Sequence, residues 1–318
     1  MQGSGTFAIE AVISSAIPRD GRLLVATNGA YGRRIVQMAR VHDIDLETLD
    51  IPENRRITAH VVAERLSGSG FTHVAAIHCE TTTGIVNPLE EIGAVVANAG
   101  AAFIVDAMSS FGAIPLSLET AHADFVISSA NKCVEGVPGF GFILARRDAL
   151  LAAKGRARTL SLDLYAQWAG LEVDGQFRFT PPTHVLLAFH QALEELDAEG
   201  GVAGRAARYR RNYEVLSRGM EELGFEHYLA AEDRGYIITT YRYPGAEIFR
   251  FEEFYSRLSE LGFIIYPGKL SQEPCFRIGT IGRLGVEDIH SLLGAIAEVM
   301  SDMAPAQAGG LAAHHQTK

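Results

Sequence analysis

Short apolar runs alternate with longer amphipathic stretches from Arg22 to about Ala145. The runs are rich in Val, Ile and Phe, as buried strands are, and the stretches between them have helical spacing. The predicted strands are residues 23–27, 74–78, 102–106, 125–128 and 139–144. The predicted helices are residues 30–42, 58–67 and 88–99. This alternation favours an α/β fold with a mostly parallel sheet covered on both faces.

The pattern changes after Arg146. Residues 156–182 lack a clear period and end in Pro181-Pro182, so we predict irregular structure there. Helical stretches over 184–199 and 201–223 follow, and the remainder is typical of a small α+β domain, with elements at 236–242, 251–261, 263–266, 276–279 and 286–300. We predict a large domain over residues 1–200, a small C-terminal domain over 201–302 and a disordered tail over 303–318.

Composition narrows the class of protein. The 318 residues are 47% hydrophobic, enough for a sizeable core, and the net charge of −10 argues against a nucleic-acid partner. No run of about 18 apolar residues occurs, so no membrane span is predicted. The three cysteines (Cys79, Cys133 and Cys275) form no CxxC pair, which favours a cytoplasmic location and no metal site.

Lysine is scarce in this chain. Only four of the 28 basic residues are lysines, and they are Lys132, Lys154, Lys269 and Lys318. Lys132 follows one predicted apolar strand, and Asp106 ends another at the same sheet edge. A buried lysine is unusual unless its amine is used, for instance as a Schiff base with a cofactor aldehyde. A surface lysine and a helix-capping aspartate are the ordinary alternatives for each residue alone.

The segment Gly3-Ser4-Gly5-Thr6 opens a stretch with helical apolar spacing. Small residues at a helix N-terminus allow backbone amides to approach a phosphate, although such tetrapeptides are usually turns or linkers. A phosphate site, a carboxylate and a lysine together match one ligand, pyridoxal 5′-phosphate, through its phosphate, its pyridine nitrogen and its aldehyde. The combination is far more specific than any one of the three.

At these residues the sequence resembles the class V (small-subgroup) aminotransferases of fold type I. The matching strings span Gln2 to about Met300 and are QGSGTFAIEAV, TNGAYGRR, HCETTTGIVNPLEEIG, FIVDAMSSFGAIP, FVISSANKCVEGVPGFGFILAR, LSLDLYAQW, RFTPPTHVLLAF and FIIYPGKLSQEPCFRIGTIG. The resemblance implies a large domain with a seven-stranded, mostly parallel sheet. Members carry a further segment before the Gly-Ser-Gly motif, so we expect the first part of the fold to be missing here.

The resemblance also implies roles for individual residues around the cofactor. Lys132 would form the Schiff base, Asp106 would pair with the pyridine nitrogen, and Tyr31 would stack on the ring. Thr81 would bond the phenolic oxygen of the ring. The remaining residues expected to bind the cofactor, chiefly at its phosphate, are Ser4, Gly5, Thr6 and Asn131.

Two further roles concern the partner subunit and the substrate. Thr180 would reach the cofactor phosphate of a neighbouring subunit, which implies a homodimer with shared active sites. Arg277 would bind the acidic group of the substrate, and Arg34 either supports this pocket or lies on the surface.

The implied reaction is transfer of an amino group from 2-aminoethylphosphonate to pyruvate, giving phosphonoacetaldehyde and L-alanine. An alanine–glyoxylate or serine–pyruvate type of aminotransferase would share nearly every residue named above. A cysteine desulfurase is less favoured because no cysteine lies on an evident mobile loop. A truncated, non-catalytic remnant of the fold is the alternative from a different class.

Overall fold

The computed structural model describes residues 1–245, 249–268 and 273–303. Its helices are Gly5–Ala16 (α1), Ala30–Val41 (α2), Ala59–Leu66 (α3), Leu89–Asn98 (α4), Arg147–Ala152 (α5), Leu164–Asp174 (α6), Thr183–Ala198 (α7), Gly201–Glu222 (α8), Phe251–Glu260 (α9) and Val286–Met303 (α10). Its strands are Gln2–Gly3 (β1), Arg22–Thr27 (β2), Asp45–Asp50 (β3), His73–Ile77 (β4), Cys79–Glu80 (β5), Ile85–Val86 (β6), Ala102–Asp106 (β7), Phe125–Ser129 (β8), Gly139–Ala145 (β9), Ile238–Arg242 (β10), Tyr266–Pro267 (β11) and Cys275–Gly279 (β12).

Seven strands form the large sheet, in the spatial order β1-β9-β8-β7-β4-β2-β3. The pairs β3/β2, β2/β4, β4/β7 and β7/β8 are parallel, and β9 pairs antiparallel with both β8 and β1. The predicted mostly parallel α/β sheet is therefore confirmed. Because the parallel strands run in one direction, their carboxyl ends meet at one edge, where ligands of such sheets bind.

Helices cover both faces of this sheet. Successive residues of β2 point to opposite faces, so Leu23 and Val25 pack under α1 and α2 while Leu24 and Ala26 pack under α3 and α4. The central strands β4 and β8 are buried along their whole length, and β7 is buried from Phe103 to Asp106. Burial on both faces is the reason that their sequences are continuous apolar runs rather than alternating ones.

Helix α1 crosses β8 and β9 at unusually short range because of Gly141. A Cβ atom at Gly141 would lie 2.6 Å from the Cβ of Ala8 and 3.2 Å from the Cα of Gly5. A side chain on β9 at this point would push the first turn of α1 away from the sheet. Gly141 thus lets the N-terminus of α1 lie at the sheet edge where the strands end.

The C-terminal part is built on a second sheet of three antiparallel strands in the order β10-β12-β11. Helices α8, α9 and α10 pack with it around an aromatic core that includes Phe225, Phe254 and Phe276. The domain boundary at residue 200 stays a prediction. The predicted tail lies outside the described residues except for Met303, which ends α10.

A charged network joins α8 to the loop that follows Lys132. Arg205 of α8 is 2% exposed and donates to the carbonyl of Cys133 and to the carboxylate of Glu199. Glu135 accepts from Arg208 and from the hydroxyl of Tyr209. The Tyr209 hydroxyl in turn accepts from the Gly282 amide, just after β12. The second sheet and the lysine loop are therefore held together by one continuous set of hydrogen bonds.

Two expectations about secondary structure were wrong or incomplete. The segment 156–182 contains a helix, α6, which is held at its ends by an Asp163 cap and by Gly175 in the left-handed region. Strand β3 was not predicted, because it lies at the sheet edge with only β2 beside it and carries acidic residues at both ends. In the described ranges, no helix combines the length and hydrophobicity that a membrane span needs.

Candidate active site

A cavity of about 210 Å³ lies at the carboxyl edge of the large sheet. It is lined by the first turn of α1, the start of α2 and the segments that follow β4, β7 and β8. Eight of the ten residues predicted to form the site line it, namely Ser4, Gly5, Thr6, Tyr31, Thr81, Asp106, Asn131 and Lys132. The residues that line it and were not among those ten are Arg34, Ile77, Cys79, Met108, Ser109 and Ser129.

The N-terminus of α1 forms one wall of the cavity. Ser4 occupies the N-cap position, but its side chain makes no capping hydrogen bond. The amides of the first turn of a helix have no partner within the helix, and the helix dipole adds positive potential there. Since Ser4 and Thr6 place two hydroxyls beside those amides, this wall has the donors that a phosphate group requires.

Asp106 ends β7 and is 2% exposed. Its Oδ1 accepts a hydrogen bond of 2.8 Å from the Met108 amide. The pKa of Asp106 is raised from 3.8 to about 7, chiefly by burial and to a smaller extent by the charge of Glu80, while the Met108 hydrogen bond and the charges of Arg34 and Lys132 lower it. A buried carboxylate that is costly to ionise is stabilised by a cation placed against it. Asp106 is therefore suited to a protonated ring nitrogen.

Lys132 follows β8 and is half-buried at the cavity wall. Lys154, by contrast, lies on the outside after α5, with its ammonium 5.7 Å from the centre of the Tyr165 ring. Lys269 and Lys318 lie outside the described residues. Among the described lysines, only Lys132 lines this cavity.

Ser129 was missed from the sequence because the predicted strand ended one residue earlier. Its hydroxyl is buried and has no hydrogen-bond partner among the described residues, although it lines the cavity. Buried hydroxyls nearly always have a partner, so an unpaired one at a cavity wall is available to a group bound in the cavity. Its place three residues before Lys132, at the end of an apolar strand, is the signal that could have found it.

Tyr31 and Arg34 occupy the same face of α2. The guanidinium of Arg34 stacks on the Tyr31 ring, 4.9 Å from its centre, and both residues line the cavity. Of the two expectations for Arg34, a position at the pocket describes its placement better than a surface role alone, although the side chain is largely exposed.

Thr81 lies in the turn between β5 and β6. Its carbonyl accepts a hydrogen bond of 2.7 Å from Nη1 of Arg277. Nε and Nη2 of Arg277 donate to the carbonyl of Pro267. Arg277 therefore stands behind Thr81 and does not itself line the cavity.

Thr180 also lies outside the cavity of its own chain. It is exposed between α6 and α7, and its carbonyl accepts from the side-chain amide of Gln2. The structure thus brings eight of the predicted site residues together and leaves Arg277 and Thr180 at its periphery. The roles given to all ten stay predictions.

The three cysteines are buried and form no disulfide. Cys79 lines the cavity, but burial raises the pKa of its thiol to about 12, and burial also raises the pKa of Cys133. A thiol that resists ionisation is a poor nucleophile, which argues against desulfurase chemistry. Among the described residues, no group of three or more His, Cys, Asp or Glu side chains could hold a metal ion.

Together these features fit pyridoxal 5′-phosphate. The free helix N-terminus suits its phosphate, the buried Asp106 suits its ring nitrogen, and Lys132 suits its aldehyde. The unpaired Ser129 hydroxyl adds a donor with no other use in the fold. The fold and the site thus define the class of enzymes that depend on this cofactor.

Comparison with known proteins agrees. The family model for aminotransferase class-V matches residues 1–275. The 2-aminoethylphosphonate–pyruvate transaminase of Syntrophobacter fumaroxidans is 52% identical over 302 residues, covering 94% of this chain and 81% of that protein. The enzyme of the same name from Lysinibacillus sphaericus is 50% identical over 301 residues, covering 94% and 82%.

Solved structures are also similar. Pyridoxamine–pyruvate aminotransferase from Mesorhizobium loti superposes with a TM-score of 0.87 at 24% identity, covering 95% of this chain and 79% of that one. Alanine–glyoxylate aminotransferase from Nostoc sp. gives 0.86 at 26% identity, covering 94% and 80%. The first of these likenesses shows the fold alone.

This chain belongs to the aminotransferase class-V family, with the fold of the type I pyridoxal-phosphate enzymes. The predicted family, fold and cofactor are therefore confirmed. The match to curated aminotransferases also favours an enzyme over the non-catalytic remnant.

The raised pKa of Asp106 predicts how stability changes with pH in the cofactor-free protein. The folded state binds the proton more tightly than the unfolded state, so the free energy of unfolding falls as pH rises from about 4 to about 7. Asp106→Asn removes this titration. The free energy of unfolding of Asp106→Asn minus that of the wild type should rise by up to ~1.4 kcal/mol per pH unit across this window.

Urea unfolding of both cofactor-free proteins at pH 5, 6 and 7 measures the difference. Asp20→Asn, at an exposed position, is the control and should keep the pH dependence of the wild type. An Asp106→Asn difference that is the same at all three pH values would contradict the assignment.

Proposed function

We propose that this protein transfers the amino group of 2-aminoethylphosphonate to pyruvate, giving phosphonoacetaldehyde and L-alanine. The observation that carries this proposal is the similarity to curated enzymes of that name, at 50–52% identity over 94% of the chain. The cavity at the carboxyl edge of the large sheet supplies the residue types that the reaction needs.

The first turn of α1, with Ser4 and Thr6, would hold the cofactor phosphate, and Tyr31 and Thr81 would face its ring. When bound, pyridoxal 5′-phosphate supplies an aldehyde that condenses with amines and a ring that accepts the electrons of a broken C–H bond. Asp106 would hold a proton on the ring nitrogen. Because its own environment disfavours an isolated negative charge, the carboxylate gains most when that cation is present.

Lys132 would first hold the cofactor and then act as a general base. Its Nζ would take a proton from C2 of 2-aminoethylphosphonate, the carbon that bears the amino group, and would deliver it to the cofactor carbon that carried the aldehyde. In the second half-reaction the same amine would deliver a proton to C2 of the pyruvate skeleton. One lysine can serve both directions because the two half-reactions are chemically the reverse of each other.

Arg277 would bind the phosphonate of one substrate and the carboxylate of the other. Among the described residues, its contacts use three of the five guanidinium donors, which leaves donors for an anion. These backbone contacts also fix the plane of the guanidinium. A planar, fixed guanidinium can bind either anion through two hydrogen bonds, so one residue serves both substrates.

Replacement of Lys132 tests the chemical assignment. Lys132→Ala should lower turnover by more than about 10³-fold and abolish labelling by cofactor and borohydride, because no amine remains at the cavity. Lys154→Ala is the matched control and should retain both. Equal borohydride labelling of the Lys132→Ala protein would overturn the assignment.

A substrate comparison tests the reaction itself. The similarity to the Nostoc alanine–glyoxylate enzyme keeps that type of aminotransferase as the second candidate. We expect kcat/KM for 2-aminoethylphosphonate with pyruvate to exceed that for alanine or serine with glyoxylate by at least about tenfold, the effect of roughly one well-placed charge contact. Coupled assays that detect the products alanine and glycine measure these rates and distinguish the two candidates. A preference for alanine with glyoxylate would favour the second candidate.

We also propose that the functional unit is a homodimer in the cytoplasm. Large apolar side chains are exposed near the cavity and near Thr180, including Phe7 at 48%, Phe177 at 44% and Phe179 at 39%. Such a patch on a water-soluble surface is typical of a protein interface. Three cysteines that form no disulfide suit a reducing compartment.

Hybrid dimers test whether Thr180 acts across the interface. Lys132→Ala and Thr180→Val subunits are co-expressed with different tags, and activity is measured at limiting cofactor. If Thr180 serves the neighbouring site, each hybrid has one intact site and the mixture regains about a quarter of the wild-type activity. If Thr180 serves its own chain, no intact site forms and the mixture stays inactive.

A further inference from the structure

Glu80 is a fully buried carboxylate beside the cavity, and the proposed reaction does not use it. Its side chain is 0% exposed. Oε2 accepts a hydrogen bond of 3.1 Å from the Tyr31 amide, and Oε1 accepts from both the amide and the hydroxyl of Thr82. A buried acid is retained in a fold only where its hydrogen bonds compensate for the loss of water.

Glu80 and Thr82 together cap helix α2. The N-cap residue of this helix is Gly29, which has no side chain to offer. Glu80 bonds the Tyr31 amide, and the Thr82 hydroxyl accepts from the Ala30 amide at 3.1 Å. The negative charge of Glu80 also stands at the positive end of the helix dipole.

Gly29 is the residue that permits this contact. A Cβ atom at Gly29 would lie 2.3 Å from Cγ and from Cδ of Glu80. The backbone there is extended, so glycine is required by the close approach of the carboxylate and not by an unusual dihedral angle. Glycine at position 29 thus leaves room for the Glu80 side chain at the start of α2.

The turn that carries Glu80 is also tied to the second sheet. The Thr81 carbonyl accepts from Arg277, and the Thr83 carbonyl accepts from the hydroxyl of Thr240. Glu80 therefore lies between the first turn of α2, which carries Tyr31, and a turn fixed from behind by β10 and β12.

We infer that Glu80 is a positioning residue, whose carboxylate fixes Tyr31 relative to Thr81 so that both face the same cofactor ring. This inference rests on the cofactor site proposed above. A carboxylate serves better than an amide here because every polar neighbour at its two oxygens is a donor. Glutamine would present an NH₂ group to one of them and lose that bond.

Cofactor affinity measured on the cofactor-free enzyme tests the inference without relying on turnover. Glu80→Gln should raise the dissociation constant for pyridoxal 5′-phosphate about tenfold, because it removes the charge and one of the hydrogen bonds that hold the start of α2, and with it Tyr31, against the Thr81 turn. Asp163→Asn is the matched control: it also changes an acid that caps a helix, at α6 and outside the cavity. Its dissociation constant should stay within about twofold of the wild type.

A double-mutant cycle separates positioning from a general loss of stability. If Glu80 acts through Tyr31, then Glu80→Gln should change the dissociation constant by less than about twofold in a Tyr31→Ala background. If Glu80 acts only on the stability of the fold, the two losses multiply. Multiplied losses, or an unchanged affinity in the Glu80→Gln single variant, would overturn the inference.

Gly29→Ala is a second variant that should displace the Glu80 carboxylate. Its methyl group would displace the Glu80 carboxyl without altering its charge, so it should weaken cofactor binding in the same Tyr31-dependent way. If Glu80→Gln does not fold, Thr82→Val replaces it in the double-mutant cycle with Tyr31→Ala. Thr82→Val removes only the hydroxyl that joins Glu80 to the Ala30 amide. A wild-type protein that binds no cofactor would refute the proposed function, whereas binding with additive losses refutes this inference alone.

Discussion

The Asp106 carboxylate ends a strand that is buried on both faces, and in the described part of the chain no salt bridge compensates its charge. A full charge in this position is costly, and one amide hydrogen bond offsets only part of the cost. A cation can reach it through the cavity that Asp106 lines, and Lys132 lies just after the neighbouring strand, β8. The proposed pairing of Asp106 with a pyridinium would thus depend on the same burial that makes β7 a stable central strand.

The geometry of the cavity depends on close backbone approach. Gly141 allows α1 to lie against β9, which places the free amides of its first turn at the sheet edge. Gly29 allows Glu80 to reach the start of α2. In both cases the absence of a side chain brings a helix N-terminus to a defined position beside a polar group, and the helix dipoles then add to the local field.

The second sheet contributes to the site without lining it. Arg277 bonds the carbonyl of Thr81, and the Tyr209 hydroxyl connects Glu135 with the loop after β12. Two separate contacts thus run from β12 to the two turns that border the cavity. A substrate bound by Arg277 would therefore have a defined position relative to both the Thr81 turn and the loop that follows Lys132.

The sequence predicted an element well where its residues fit only one kind of structure. Strand β7 has the predicted limits, because an apolar run ending in aspartate has few other uses in a soluble fold. Helix α6 was missed because Leu164 is the only one of its residues that is buried, which leaves little amphipathic signal. Its Asp163 and Gly175 caps were the available clue.

The sequence by itself determined the class of fold, the family and the pairing of a carboxylate with a lysine at one sheet edge, since these follow from apolar periodicity and from motifs in contiguous segments. Only the tertiary structure decided that Ser129 and Arg34 line the cavity, that Arg277 stands behind Thr81, and that Glu80 caps α2. Those facts depend on the distances between elements far apart in the chain. Such distances are set by the packing of helices on the sheet, which no local pattern records.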